Sequence, residues 1–410
     1  MIDIAGNSVE DEVFVGGRLS DLAVLKENHL LVLDEANQQL ILLHRTNSEW
    51  QVQSRQKVAD SPVRLVVNRA TARCFISSLW SRTVTAVDLA MGKQLDSASL
   101  HVAHQRLVSF EPRELCLVHG GSHLIVAGSF AANLAVLDVD DLTLLGTQQL
   151  PGHNIRGLAT SADQLKLYIA QQELNSLARS TFEDVHWGNL MSNLLVSFPV
   201  ETVVGKPADL PRRRTVFDLG QPDAGASDPG PLWVGPSGRL AVLLSGVDEV
   251  GIAARGEVHD LSRVSVGRRP TAIQSTPDGR LYIADTFSDS ISIIDAQSAK
   301  RVKQVSLGPH PEPSRAERGE EIFFDGRLSH DGWMSCHTDG HTNGQFNDNL
   351  SDGSFGAPKR VLSLLGVGET KPWAWNGRVK TLEQQLTNSI RKTMQGKGQA
   401  TRSWLPLRRT

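Results

Sequence analysis

Between residues 10 and 308 apolar and polar positions alternate in short runs, and the runs come back. Thr83-Val-Thr-Ala-Val-Asp88, Asn133-Leu-Ala-Val-Leu-Asp138 and Ser290-Ile-Ser-Ile-Ile-Asp295 are one strand written three times, each closed by Asp. A period of two puts every second side chain on one face, the pattern of a half-buried strand. Pro277-Asp-Gly-Arg-Leu-Tyr-Ile-Ala284 recurs as Pro236-Ser-Gly-Arg-Leu-Ala-Val-Leu243 and, more loosely, as Ala162-Asp-Gln-Leu-Lys-Leu-Tyr-Ile-Ala170. These predict hairpins, with φ preset by Pro and a left-handed position taken by Gly. The repeat returns about every 40 to 50 residues, the spacing of four-stranded propeller blades. Roughly 300 residues at this period make six or seven blades. The predicted fold is therefore mainly β, a six- or seven-bladed β-propeller over residues 1–309 followed by a small, mostly helical domain. Val13-Phe-Val-Gly16 is expected to complete the ring by pairing with strands from the far end.

Two stretches break the repeat. Residues 173–191 delay one strand and show helical spacing at Leu174, Leu177 and Phe182, followed by a Gly break. His186 and Trp187 there, and His153 in Pro151-Gly-His-Asn-Ile-Arg156, are candidates to line a ligand or a contact with the C-terminal domain, although polar residues of this kind more often only hold a loop down. Residues 221–231, rich in Gly, Ala, Asp and Pro, read as an exposed inter-blade loop.

Gly308-Pro-His-Pro-Glu-Pro-Ser314 ends the β pattern and sets a domain boundary at residues 309 and 310. Beyond it, Ser314 as N-cap with Glu317 as its capping-box partner predicts a helix to Phe324, and residues 381–394 predict a second with Leu382, Leu386, Ser389 and Ile390 on one face. Residues 310–395 form this second domain, and residues 396–410 are a basic tail.

Composition adds exclusions. Charged residues make 21% of the chain, with a formal charge of −3, which excludes a nucleic-acid footprint. No run reaches the length of a membrane span, and no basic region followed by an apolar stretch marks a signal peptide at the start. The three cysteines make no disulfide framework. Cys74 and Cys116 lie in apolar strand-like runs, where a free thiol behaves as a small buried hydrophobe.

Only Cys336 sits among polar residues, in Trp333-Met-Ser-Cys-His-Thr-Asp-Gly-His341. Cys336-His337 is the tail of a Cys-x-x-Cys-His attachment site for c-type haem, in which the thiol bonds a vinyl group and the imidazole supplies an axial nitrogen. Trp333 stands where the first Cys belongs, so a single thioether is all the motif offers. His341 and Met394 are the candidates for a second axial or metal ligand. Trp333, Trp373, Trp375 and Arg378 are haem-pocket candidates, the aromatics by packing and the guanidinium by pairing a propionate. A different site is open to the same residues, since His330, Cys336, His337 and His341 supply ligand types that suit zinc or another transition metal.

Three ordered blocks, Arg318-Gly-Glu-Glu-Ile-Phe-Phe-Asp325, Gly356-Ala-Pro-Lys-Arg-Val-Leu-Ser-Leu-Leu365 and Trp373-Ala-Trp-Asn-Gly-Arg-Val-Lys-Thr-Leu-Glu-Gln-Gln385, resemble the first haem domain of bacterial di-haem cytochrome c peroxidases. The strands before them resemble the Tyr-Val-Thr-Asn type of bacterial propeller, with Tyr282-Ile-Ala-Asp285 in the naming position. The resemblance implies a periplasmic haem-binding oxidoreductase or electron-transfer protein, with peroxide as acceptor and an electron-donor protein or small redox substrate as partner. It also implies impairment: one attachment Cys and the second haem domain are missing, Asn376 replaces an Asp, and Thr393 replaces the acidic residue before Met394. The alternative is a propeller that binds an unknown partner beside a non-functional haem domain.

Overall fold

Strands form where the alternation predicts them. The computed structural model describes the chain except for residues 1, 4–5, 7, 27, 47–48, 91–98, 176, 179–180, 206–209, 255–257, 259, 310, 339–360, 375 and 397–410. The fold is mainly β and propeller-like, with few helices. Leu19–Lys26, His29–Asp34, Gln39–Thr46 and Glu49–Lys57 form one antiparallel four-stranded sheet, and Pro62–Asn68, Arg73–Ser78, Thr83–Ala90 and Ser99–Leu107 form the next. Later in the chain the pattern returns in Pro229–Val234, Leu240–Leu244, Glu249–Ala253 and Ser262–Ser265, and again in Pro270–Ser275, Arg280–Asp285, Ser290–Asp295 and Lys300–Ser306.

The number of blades differs from the six or seven expected. Among the described residues four sheets are separate four-stranded blades, whereas the strands of residues 112–218 join as one sheet of seven. The physical cause is Leu144–Thr160, which continues as a single strand of 17 residues where the repeat predicts a break. Val13 to Gly16 form no strand either. Val15 instead turns its side chain into a small apolar cluster with Val32, Ile41 and Leu43, so hydrophobic burial rather than ladder pairing fixes this segment.

Local chemistry explains the repeat. Gly238 and Gly279 take the left-handed positions of their hairpins, at φ +78° and +84°. The Asp that closes two of the three repeated strands caps the turn after it: Asp138 accepts the Asp140 N–H, and Asp295 accepts the N–H and hydroxyl of Ser298, whereas Asp88 accepts from Arg73 Nε at 2.7 Å. Inward faces then pack sheet on sheet. Phe75, Val84 and Ala86 meet Leu124, Val126, Ala135 and Leu137, and Ala241, Leu243, Val250 and Ile252 meet Leu281, Ile283 and Ile294. Burying one such large side chain fully stabilises by about 1.5–3 kcal/mol, so each interface outweighs the weak preference of any one strand.

The chain divides into two compact units. One comprises residues 1–2, 9–169 and 197–215, and the other residues 3–8, 170–196 and 216–410. The second unit therefore contains the last two four-stranded sheets, the insertion of residues 173–191 and the C-terminal region together. In the insertion, Leu174 ends the strand Lys166–Leu174, and helix is confined to Phe182–His186, started by a Thr181–Asp184 capping box. In the C-terminal region the Arg315–Phe324 helix carries the expected box, with Ser314 Oγ accepting the Glu317 N–H and Glu317 accepting the Ser314 N–H. The second helix, Leu382–Asn388, is capped by Thr381 and runs into a π-type turn at Ser389–Thr393. Its buried face is Ile390 and Met394, while Leu386 is exposed. The remaining described residues of this region are short 3-10 turns, one isolated bridge and irregular chain.

Candidate functional site

Cys336 and His337 lie in a tight turn tied by its flanking hydroxyls. Ser335 N–H donates to Thr338 Oγ1 (2.8 Å), and Thr338 N–H donates back to the Ser335 carbonyl (3.1 Å). The His337 N–H donates to the carbonyl of Phe323 at 3.0 Å, which fastens the turn to the end of the Arg315–Phe324 helix. Ser335, His337 and Thr338 have no exposed surface, whereas Cys336 is partly exposed.

The turn rests on loops of the β region. Gly225 N–H donates to the Asp331 carbonyl (2.7 Å), Ser227 N–H to the Gly332 carbonyl (3.1 Å), and Gly326 N–H to the Gly246 carbonyl (2.7 Å). A Cβ at Gly225 would lie 2.5 Å from the Gly332 backbone, so only glycine permits this approach. The stretch read as an exposed inter-blade loop is thus exposed only at residues 221–223. Residues 225–230 are buried as the seat of the Cys-His turn.

The predicted site residues separate into three groups. Trp333, Met394 and Cys336 meet in one apolar cluster with Val185, Met191, Leu328, Met334 and Ile390. The Trp333 indole fills a slot whose walls include Gly188 and Gly220, where a Cβ would strike the ring, and its carbonyl accepts from Asn193 Nδ2 (3.0 Å). Asn193 is itself oriented by Gln172 (2.7 Å).

His337 occupies a second place. Its ring lies 4.6 Å from that of Phe324 and 6.0 Å from that of Phe323, and its Nε2 is 3.9 Å from Asp228 Oδ1. Asp228 is ion-paired with Arg269 at 2.6 Å, and the Arg269 guanidinium lies 3.8 Å over the Phe324 ring.

Trp373 and Arg378 form the third group. The Trp373 indole donates to the Val367 carbonyl (2.8 Å) and its backbone pairs with Val379, so it holds its own loop. Arg378 is exposed, with its N–H on Asn376. His341 and Trp375 lie outside the described residues, as does the first half of the 356–365 block.

His186 proves to be the insertion residue that matters. Its ring centroid is 4.3 Å from that of His330, with Phe182 and Trp187 beside it, and Gln395 Nε2 donates to the Phe182 carbonyl at 2.7 Å. This is a contact with the C-terminal region, the role for which His186 is a candidate although loop anchoring is the commoner expectation. His153, by contrast, is buried within the strand Leu144–Thr160. Among the described residues no three His, Cys, Asp or Glu side chains gather as a metal site, so the zinc set is not assembled there.

Sequence reasoning missed Ser227, Asp228, Arg269 and Phe324. The small residues before Asp228 were the available signal, since Gly-Ala-Ser permits a close backbone approach that a longer loop residue would block.

Beside Phe324 an open cleft is lined by Ser245, Asp248, Arg268, Arg269, Glu321 and Arg327, among others. Its charges are paired: Arg268 with Glu321 (2.7 Å), and Arg327 with Asp248 (2.6 Å) and Asp325 (2.8 Å). Burial raises the Asp248 carboxyl above the ordinary range, against the lowering by the Arg269 N–H and the Arg327 charge. Cys74 and Cys116, in the sheets, are raised by burial, Cys116 to about 12.

Residues 313–405 match the family described as di-haem cytochrome c peroxidase. The methylamine utilization protein MauG of Methylorubrum extorquens is 28% identical over 116 residues, which cover 26% of this chain and 32% of that protein. The chain thus spans about a third of the length of that relative. The β region has solved neighbours of low identity that speak for the fold alone. A protein from Lactobacillus plantarum gives a TM-score of 0.57 at 12% identity over 74% of this chain and 89% of its own. Hydrazine synthase of Kuenenia stuttgartiensis gives 0.54 at 14%, over 65% and 80%. The C-terminal peroxidase-family domain is therefore joined to a propeller-like region. No helix among the described residues is long and apolar enough to cross a membrane.

This family implies a c-type haem, and the described residues do not present a place for one. An axial imidazole needs an open side for iron, yet His337 is fully enclosed and its Nε2 edge faces a carboxylate. The adjoining cleft is lined by neither Cys336 nor His337. No chemical step is assigned to haem in this arrangement.

Proposed function

We propose that the peroxidase-family domain serves a haem-related oxidoreductase function of peroxidase or electron-transfer type, outside the cytoplasm, with the propeller-like region as its support. The observation that carries this reading is that the matched segment holds the chain's one Cys-His pair, Cys336-His337. In this reading Cys336 and His337 would be the residues that hold the group, the thiol by a single thioether and the imidazole through a ring nitrogen, and an electron-donor protein or small redox substrate is the partner. Peroxide turnover is slow, because Thr393 stands where the related enzymes carry an acidic group, and general acid-base assistance typically contributes about 10² to 10⁴ in rate.

The test is a pyridine haemochrome spectrum of the full chain, exported in a strain that matures c-type cytochromes. Covalent haem is expected, with an α band red of a two-thioether haem, and Cys336→Ala should abolish its retention under denaturing conditions. Absence of haem from the exported wild-type chain would refute the proposal. The enclosure of His337 favours a second reading, a partner-binding propeller beside a domain that holds no haem, and that same absence would support it.

A further inference from the structure

The cleft beside Phe324 holds more hydrogen-bond donors than its own walls accept. A guanidinium carries five N–H donors in a fixed fork. Among the described residues the Arg268 side chain uses two of them, Nη1 on Glu321 Oε2 (2.7 Å) and Nη2 on the Phe287 carbonyl (2.8 Å). The Arg269 side chain uses one, Nη1 on Asp228 Oδ2 (2.6 Å). Arg327 is more fully engaged, since Nε and Nη2 donate to Asp325 at 2.8 and 3.0 Å while Nη1 lies 2.6 Å from Asp248. The other two side-chain nitrogens of Arg269 stay in reach of solvent, although the side chain is only 11% exposed. Arg268 and Arg269 thus line the cleft with donors to spare.

The two arginines are held in place by their neighbours. Arg268 N–H donates to Ser288 Oγ (2.7 Å) and Arg269 N–H to Asp248 Oδ1 (2.8 Å), while the N–H groups of Thr286 and Phe287 donate to the carbonyls of Arg269 and Arg268 at 3.0 and 3.1 Å. The Arg269 guanidinium is also fixed 3.8 Å over the Phe324 ring. A fork held this way loses little freedom on meeting a ligand, which favours binding. A cationic ligand would meet three guanidiniums, and a neutral donor would find carboxylates that already accept from them. What the cleft lacks is an acceptor, and a carboxylate matches a guanidinium fork with two oxygens. Phe287 and Phe324, with ring centroids 6.1 Å apart, and Ile322 add apolar wall, which favours an organic body over an inorganic anion.

We infer that this cleft is a binding site for a small organic carboxylate, with its carboxylate on Arg268 and Arg269 and its apolar or aromatic body against Phe287, Ile322 and Phe324. The site goes beyond the haem reading and does not rest on it, since neither Cys336 nor His337 lines the cleft.

The experiment titrates the full-length, haem-free chain with benzoate and with its neutral counterpart benzamide, followed by saturation-transfer NMR. Benzoate should bind about tenfold more tightly, the scale of one charge-assisted hydrogen bond. Arg268→Gln and Arg269→Lys should each weaken benzoate by about tenfold and leave benzamide unchanged, the second variant keeping a positive charge beside Asp228. Arg280→Gln is the control: its side chain is 45% exposed, as is that of Arg268, it is paired with Asp278 outside the cleft, and its loss should change neither probe. Equal affinity for the two probes, or no binding of benzoate, would overturn the site. An equal loss in Arg280→Gln would overturn it too, because it would mean attraction to charge in general. Acetate bound as tightly as benzoate would remove the apolar wall and with it the assigned ligand class. Should Arg269→Lys fail to fold, the half-exposed Arg268 position decides alone. Haem found on the exported chain, or absent from it, bears only on the earlier reading.

Discussion

Replacing Gly188 by Ala should destabilise the protein chiefly through Trp333, and a double-mutant cycle can separate that part. Trp333 is 8% exposed, and among the described residues its indole N–H has no hydrogen-bond partner. A buried Trp covers about 150–250 Å², so its removal from water is worth roughly 4–6 kcal/mol, from which an unmet donor subtracts about 1–3 kcal/mol. Trp333→Ala should therefore cost about 3 kcal/mol, within the usual range for large-to-small changes in a core.

Gly188 has φ +65°, where any other residue costs about 1–2 kcal/mol, and its added Cβ would meet Cε2 and Cζ2 of the indole. Overpacking of this kind adds about 1–3 kcal/mol. Gly188→Ala should thus cost about 3 kcal/mol in the wild type and about 1 kcal/mol beside Trp333→Ala, a coupling of about 2 kcal/mol between directly contacting residues. Urea unfolding followed by far-UV circular dichroism measures all four corners. Additivity within about 0.5 kcal/mol would refute the slot, because uncoupled residues behave that way. The same reasoning makes Trp333→Cys, which rebuilds Cys-x-x-Cys-His on paper, a loss of about 2–3 kcal/mol rather than a benign repair.

Two further predictions concern titration. At pH 8 a thiol reagent should label Cys336 rapidly and leave Cys74 and Cys116 unlabelled in the folded, haem-free chain, since burial encloses both and raises both thiols, Cys116 to about 12; mass spectrometry showing two or three labels would contradict this. Asp285 is raised, by burial first, against the hydrogen bonds from Ser292, Ser290 and the Gly267 N–H. The folded state therefore holds this proton more tightly than the unfolded one, whose value is about 3.9. The stability tied to that proton is fullest below the unfolded value and is lost as pH rises through the folded value. Asp285→Asn should remove this loss, so the variant gains relative to wild type as pH rises from about 4 to 7. Parallel stability curves over that range would rule it out.

Where a decision is made within a few residues, the sequence by itself determined the result. The alternation in Ser290–Asp295, the left-handed Gly279 and the Ser314–Glu317 capping box each depend on neighbours along the chain, and each forms as predicted. The Cys336-His337 pair was legible for the same reason, as were the burial of Cys74 and Cys116 in apolar strands.

Tertiary structure alone decided what those pieces meet. Trp333 looked like a defect in an attachment motif until Gly188, Gly220 and Asn193, the last 140 residues away, closed around it as a packing slot. Residues 225–230 looked like an exposed loop until the N–H groups of Gly225 and Ser227 found the carbonyls of Asp331 and Gly332, a few residues before Cys336 and His337. The continuous strand Leu144–Thr160 merged what the repeat predicts as separate blades, because ladder pairing is set by partners in space and not by the period of one strand. Asp228, Arg269, Phe324 and His337 carry no shared motif. They come together only because two loops of a propeller-like region, one helix end and the Cys-His turn arrive at the same buried point, where a charge must be paired and an aromatic ring must be covered.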